Sequence, residues 1–289
     1  MFVLALRRHF RLVLMLAVML AVVLAAATPA AVRAQGKLEA RYSATLAGIQ
    51  IGKGSWVIDI TDTQYMAAAN GVTTGLMRAF TGGEGTSAAH GTLQAGQPMS
   101  SIFASTIAAS HKTDDVSLTV ANGIVTESRL DPPLETEPDR VPISDENRKG
   151  ILDPMTASLM RTPGTGNPLS PEACQRTVAI FDGRLRYDLQ FAFKRMDKVK
   201  ADKGYAGPVV VCAVYFSPIA GYISSRAAIR YVSKLREIEV WLAPIAGTRV
   251  LVPFRMQGPT PIGKFVLEAN QFVSVPSPTR ASANGLKTQ

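Results

Sequence analysis

Apolar and polar positions alternate with a period of two along most of this chain. Leu38, Ala40, Tyr42, Ala44 and Leu46 alternate with polar residues until Gly48. After Gly52 and Gly54, Trp56, Ile58 and Ile60 share one face, and a third run over 64–69 ends at Asn70-Gly71. This pattern predicts antiparallel strands with one wet face. Strands are expected again over 86–93, 99–110, 116–120 and 124–130. The turn signals between them are Ala95-Gly96-Gln97-Pro98, Asp114-Asp115 and Asn122-Gly123. Asn-Gly between alternating runs is the strongest hairpin signal. Residues 73–80 read as a single helical turn. Gly82-Gly83-Glu84-Gly85 reads as a flexible turn, because it lacks the Gly-Lys-Ser/Thr ending of a phosphate-cradling loop.

The alternation stops at 130–142. Pro132, Pro133, Pro138 and Pro142 exclude regular sheet there, and Asp131, Glu135, Glu137 and Asp139 make the stretch acidic. One helix is expected over 154–161, with Asp153 as N-cap and Pro154 at its first position. A second β run follows over 174–181, 184–196, 209–216, 235–243, 249–257 and 264–273. Residues 184–191 alternate cleanly. Residues 209–215 are apolar throughout, as a strand covered on both faces would be. Residues 217–230 read as irregular.

Each run alone has few aromatic residues for a core, so the two are expected to share one. The predicted fold is mainly β: a strongly curved antiparallel sheet forming an open barrel or β-spiral, with one short helix packed on its concave side or mouth. The expected organisation is a signal peptide over 1–34, one β-rich domain over 35–275 with the acidic loop and helix of 131–170 in its middle, and a disordered tail over 276–289. A split into two domains at 131–170 is the alternative.

The expected signal peptide rests on Arg7, Arg8 and Arg11, the apolar run 13–27, and the small residues at the −3 and −1 positions of Val32-Arg33-Ala34 before Gln35. The apolar run falls short of the ~20 residues that span a bilayer, so cleavage is expected and no transmembrane anchor after it. The location expected is the periplasm. The chain carries 31 Lys+Arg against 22 Asp+Glu, a net charge of +9. Leaving out Arg7, Arg8, Arg11 and Arg33 lowers this to 27 against 22, or +5. That mild, dispersed charge does not read as a nucleic-acid footprint. The two cysteines, Cys174 and Cys212, read as a structural disulfide in an exported chain.

Little in the sequence points to a reaction. Beyond the signal region only His90 and His111 remain, with no G-x-S-x-G elbow and no H-E-x-x-H. No catalytic residues, metal ligands or cofactors are assigned. Asp182 and Asp188, beside Gly183, are the best-placed pair for general acid–base work. Their plainer reading is turn chemistry for Asp182 and, for Asp188, an ion pair with an Arg of a neighbouring strand. Phe181-Asp182-Gly183-Arg184 reads as a structural turn. Arg184, Arg186, Arg226, Arg230, Lys234 and Arg236 could line an anion groove or simply coat a wet sheet face.

Several segments carry a resemblance. These are Phe181-Asp182-Gly183-Arg184-Leu185-Arg186-Tyr187-Asp188-Leu189, Val211-Cys212-Ala213-Val214-Tyr215 and Ser217-Pro218-Ile219-Ala220-Gly221-Tyr222. With the Asp153-Pro154-Met155-Thr156-Ala157 helix start and Gly258-Pro259-Thr260-Pro261-Ile262-Gly263, they resemble the domain of unknown function 3108 family of exported bacterial proteins. The 181–188 turn is also similar to periplasmic envelope-integrity proteins that fold as an open β-spiral with a disulfide, a likeness of fold alone. The family brings no catalytic residues. The function expected is a non-enzymatic periplasmic protein binding an apolar or envelope-derived ligand, a lipid among them, or an envelope protein. The alternative is an envelope hydrolase acting through Asp182 and Asp188.

Overall fold

The computed structural model describes residues 35–75, 82–110 and 112–277. The expected signal peptide, most of the helical turn at 73–80, His111 and nearly all of the expected tail lie outside the described residues. The strands in chain order are β1 (Gly36–Leu46), β2 (Ile49–Ile60), β3 (Gln64–Thr73), β4 (Glu84–Gln94), β5 (Gln97–Ala109), β6 (Lys112–Ala121), β7 (Ile124–Asp131), β8 (Met160–Arg161), β9 (Arg176–Phe181), β10 (Arg186–Lys200), β11 (Lys203–Gly204), β12 (Ala206–Ala220), β13 (Glu239–Pro244), β14 (Val250–Thr260) and β15 (Gly263–Pro276). They form one sheet in the order β7-β6-β5-β4-β3-β2-β1-β15-β14-β13-β12-β10-β9, with β11 on β15 and β8 on β14. β1 pairs with β15 along its whole length. The two β runs are therefore one curved, open sheet.

The hairpins follow local chemistry. Ala47-Gly48, Ala95-Gly96 and Asn122-Gly123 all have positive φ at both residues. This is the turn whose twist matches that of paired strands, and glycine at its second position removes the steric cost.

Among the described residues, no strand pair closes the sheet. The gap between its edge strands is spanned by residues 149–152 instead: Lys149 bridges to Ile124 of β7, and Leu152 to Ile180 of β9. The 182–185 turn reaches the same edge. The Arg184 guanidinium pairs with Asp114 of β6 and donates to the Pro132 carbonyl at 2.9 Å. Gly183, at φ 96°, sits so close that a Cβ there would lie 2.6 Å from Val116 Cγ1.

The concave face holds the main core, which includes Leu38, Ile58, Phe103, Leu118, Phe254 and Phe272. Behind β12–β14 lies a second cluster with Met160, Cys174, Phe191, Cys212, Val240 and Leu242. This second cluster is why residues 209–214 are buried on both faces. The disulfide forms within it, with S–S 2.01 Å, pinning the 3-10 turn Pro171–Cys174 that precedes β9 to β12.

Several expectations differ from what is found. Asn70-Gly71 does not end the third strand, which runs on to Thr73, and Glu84 and Gly85 of the expected flexible turn already belong to β4. The expected 154–161 helix is only α1 (Pro154–Ala157), although Asp153 does cap it and Pro154 does occupy its first position. The chain leaves the helix because Leu159 packs into the main core whereas Met160, one residue on, packs into the second cluster and pairs with β14. A second helix, α2 (Ala227–Lys234), lies where irregular chain was expected; it buries none of its residues, so no core stripe marks it. Asp114-Asp115 is no turn but mid-strand in β6, where Asp115 accepts from Thr106 and Asp114 holds Arg184.

Candidate functional site: a glycine-lined groove on the concave face

Across the meander, each concave-face row joins residues that stand opposite one another. One row is Leu38, Ile58, Ala67, Ala89, Phe103 and Leu118, all buried. Towards the other end of the same strands the row is Tyr42, Gly54, Gly71, Gly85 and Ile107. Three adjacent strands present no side chain there. The space is a groove of about 740 Å³, inside the roughly 300–1,000 Å³ range of small-molecule sites. Its walls include Tyr42, Ala44, Trp56, Ala69 and Ile107 on β1, β2, β3 and β5, Met155 of α1, and Pro253, Met256 and Leu267 on β14 and β15.

Two of the glycines are replaceable in space. A Cβ at Gly71 meets nothing nearer than the Lys53 carbonyl at 3.7 Å, and one at Gly85 nothing nearer than 3.6 Å. Gly54 differs, because a Cβ would stand 2.7 Å from the Asn70 carbonyl oxygen.

A buried polar network sets the floor. Asp153 is fully buried, and its Oδ1 accepts from the Met155 and Thr156 N–H groups at 2.9 Å each, the cap of α1. Its Oδ2 accepts from Ser100 Oγ at 2.6 Å and from Thr156 Oγ1. Ser100 Oγ in turn accepts from the Asp153 N–H at 2.9 Å, and Thr156 Oγ1 also contacts the Tyr65 hydroxyl. Burial and the Asp153 charge push the Tyr65 phenol well above its ordinary range, keeping it neutral. Every group here has a partner, so the network holds α1 on β3 and β5 and aims Met155 into the groove; nothing in it is left to act on a substrate.

The groove's own polar groups differ from each other. The Tyr42 hydroxyl donates to the Pro253 carbonyl at 2.7 Å. The Trp56 indole is 8% exposed, and its Nε1 has no hydrogen-bond partner among the described residues. A buried N–H left unpaired costs about 1–3 kcal/mol.

A second cavity of about 790 Å³ adjoins the groove and shares Ile107, Met155 and Ser158 with it. It is more polar than the groove, with Asp114, Glu135, Arg140, Asp182, Arg184 and Arg226 on its walls. Arg140 is held by the carbonyls of Gly221 and Glu135 at 2.8 and 3.1 Å.

The residues singled out from the sequence divide clearly. Cys174 and Cys212 are bonded. Phe181 is fully buried, and Asp182 Oδ1 accepts from the N–H groups of Arg184 at 2.8 Å and Leu185 at 2.7 Å, the expected turn chemistry. Burial nonetheless raises the Asp182 pKa, and those hydrogen bonds and the Arg184 charge offset only part of the rise. Asp188 is held in an ion pair at 2.6 Å, with Arg186 of its own strand and not with a neighbouring strand's Arg. Of the cationic set, Arg184 and Arg226 meet at the polar cavity. Arg186 is occupied by Asp188, Arg230 and Arg236 donate to carbonyls around α2, and Lys234 ends that helix. His90 is half-buried on the outer face, between Met66 and Ile102. No cluster of three or more His, Cys, Asp or Glu is placed to hold a metal among the described residues.

Sequence reasoning missed the groove. Its signal was present: Gly52, Gly54, Gly71, Gly83 and Gly85 sit at alternate positions of successive runs. Their meaning depends on register, which puts Gly54, Gly71 and Gly85 side by side.

No curated protein matches the chain. Among solved structures, a DUF1329 family protein from Desulfovibrio piger is 11% identical, with 86% of this chain and 89% of that one covered, at a TM-score of 0.20. A superposition that poor bears on neither fold nor function. The family model described as protein of unknown function, DUF3108, matches residues 41–270. That span takes in nearly the whole sheet, the groove and the disulfide, and the chain belongs to the DUF3108 family.

Proposed function

We propose that this protein is an exported, periplasmic, non-enzymatic binding protein whose groove takes up the acyl part of an envelope-derived lipid. The observation that carries the reading is the row of Gly54, Gly71 and Gly85, which leaves about 740 Å³ of apolar-walled space, where the row from Leu38 to Leu118 towards the other end of the same strands is packed solid. A glycine in a strand weakens it by roughly 0.5–1 kcal/mol relative to Ala. Three in register are a cost that core packing does not explain and an occupant does. Export is supported by the basic, apolar and small-residue order of residues 1–34 and by a disulfide that persists in oxidising compartments.

The test is uptake of a fluorescent fatty-acid analogue by delipidated protein. Wild type is expected to bind it. Gly71→Leu and Gly85→Leu fill the groove without a backbone clash and are expected to weaken binding at least about tenfold while leaving the fold intact by circular dichroism. Absence of uptake by wild type, or unchanged uptake by both variants, would sink the reading. Export is tested by fractionating cells that carry the chain with and without residues 2–34; cytoplasmic retention of the full-length chain would overturn it.

A further inference from the structure

We propose that α2 and the two hairpin tips beside it form a docking face for an anionic phospholipid bilayer. The choice of partner rests on the export and lipid binding proposed above; what is added is where the protein meets a membrane. α2 is a surface helix with no buried residue. No Asp or Glu stands between Asp202 and Glu237, and within that stretch fall Arg226, Arg230, Lys234 and Arg236. Arg226 is the N-cap of α2, with Arg230 and Lys234 following at intervals of one turn, so the three share a stripe. The rest of the helix is Ala227, Ala228, Ile229, Tyr231, Val232 and Ser233. A basic amphipathic helix at the surface suits the interface of an anionic membrane.

The acids near this helix are already engaged. Asp139 accepts from the Ser225 N–H at 3.0 Å and faces Arg226. Glu237 accepts from the Arg236 N–H at 2.9 Å, and the buried Glu239 is paired with Lys194 and Arg195. Arg230 and Arg236 donate to backbone carbonyls. Arg230, Lys234 and Arg236 enter no ion pair among the described residues. Their charge is therefore left for a partner of opposite sign.

Apolar tips stand beside that charge. α2 and the β14–β15 hairpin flank one recess, with Tyr231 and Leu235 on one side and Thr260, Gly263 and Lys264 on the other. At the tip of this hairpin Ile262 is 72% exposed. The β1–β2 tip lies against it: a Cβ at Gly263 would stand 2.7 Å from the Ala47 Cβ, and Ile49, just past Gly48, is 67% exposed. Ile262 and Ile49 are the most exposed large apolar residues among those described. One such residue alone would be ordinary. Two on adjoining tips beside a basic helix match an interfacial contact, in which cations reach the headgroups and apolar side chains enter the acyl boundary. The groove runs out to the same strand ends, where Gly52, Thr73, Gly83 and Ala109 line it. A membrane docked here stands at its mouth.

The test is co-sedimentation of the exported protein with vesicles of phosphatidylcholine alone, or of phosphatidylcholine and phosphatidylglycerol in equal parts, at low and high salt. Binding is expected to the anionic vesicles only and to weaken as salt rises. Arg230→Ser with Lys234→Ser removes two charges, each worth about fivefold at such a surface, so a loss of at least about tenfold is expected. Ile262→Ser with Ile49→Ser is expected to cost roughly three- to tenfold. All four side chains are exposed, so thermal unfolding and uptake of the fatty-acid probe are expected to stay at wild-type values. Equal binding to both vesicles, or wild-type binding by the Arg230–Lys234 double variant, overturns the docking face. If the protein takes up the probe and ignores both vesicles, the docking face falls and the groove stands. If it binds anionic vesicles with the expected losses in the variants and takes up no probe, the groove's function falls and the docking face stands.

Discussion

The two halves of the sheet solve the burial problem in opposite ways. In the second half, the middle of β12, nearly all of β13 and the start of β14 are buried on both faces, with the main core on one side and the disulfide cluster on the other. In the first half, β1 to β7 alternate buried and exposed, and one end of their inner face is occupied by glycine. The tryptophans show the same contrast. Trp241 lies between the guanidiniums of Arg195 and Arg255, at 5.2 and 4.9 Å, with its N–H bonded. Trp56 lines the groove, and its buried N–H has no partner among the described residues. One half is packed to be stable. The other gives up packing to keep a space, and relies on the first for its rigidity through β1 and β15 and through the 149–152 bridge.

The sharpest way to break this comparison is to cut the disulfide. Cys174 and Cys212 close a loop of 38 residues in sequence, and the double Ser variant is expected to lose about 4 kcal/mol by the chain-entropy estimate. Urea unfolding measures this, and probe binding to the fraction still folded should be unchanged. Loss of binding in step with the disulfide would show that the halves are not separable.

Next in size is the contact that joins the sheet's ends. Gly183→Ala places a Cβ at φ 96°, against Val116, and is expected to cost about 1–3 kcal/mol. Hydrogen exchange should rise first at the β7 and β9 edges. Uniform destabilisation without faster edge exchange would remove the clasp role.

The tryptophans give a smaller and opposite pair of effects. Trp241→Phe gives up a hydrogen bond and much of two cation–π contacts, for about 1–2 kcal/mol. Trp56→Phe in the unliganded protein removes an unpaired donor and is expected to be neutral or slightly stabilising. Equal losses in thermal unfolding would contradict the contrast between the halves.

The smallest effect is on pH dependence. The folded pKa of Asp182 lies above its unfolded value, chiefly through burial. The native state then keeps this proton where the unfolded chain has released it, so this group's contribution to stability falls as pH rises through the carboxylate range. Asp182→Asn is expected to remove that downward slope from urea midpoints between about pH 4 and pH 7, and an unchanged slope would assign it elsewhere. Asp197, in the packed half, has its pKa lowered, first by the Trp241 hydrogen bond. Its contribution runs the other way and is lost as pH falls.

Much of this was legible in the residues. The period-two runs, the Asn122-Gly123 hairpin, the Asp153 cap and the doubly buried 209–215 strand are local patterns, and each is found where expected. The cysteine pairing was legible because only two were available. The length of α1 was not, because Met160 leaves the helix to pair with β14, about 90 residues away in sequence. Asp114-Asp115 resembled a turn by residue type, yet it pairs with Ile107 and Thr106 of β5, and the Asp114 charge is met by Arg184 from the far end of the sheet.

Alternation and turn chemistry act over a few residues, so the chain alone settled that this is one β protein with a capped helix and a disulfide. The groove depends on Gly54, Gly71 and Gly85 lying side by side across three strands, and the unpaired Trp56 N–H on what the assembled sheet packs around it. Register and side-chain satisfaction are properties of the assembled sheet, because each depends on residues distant in sequence. They came into view once the strands were in place.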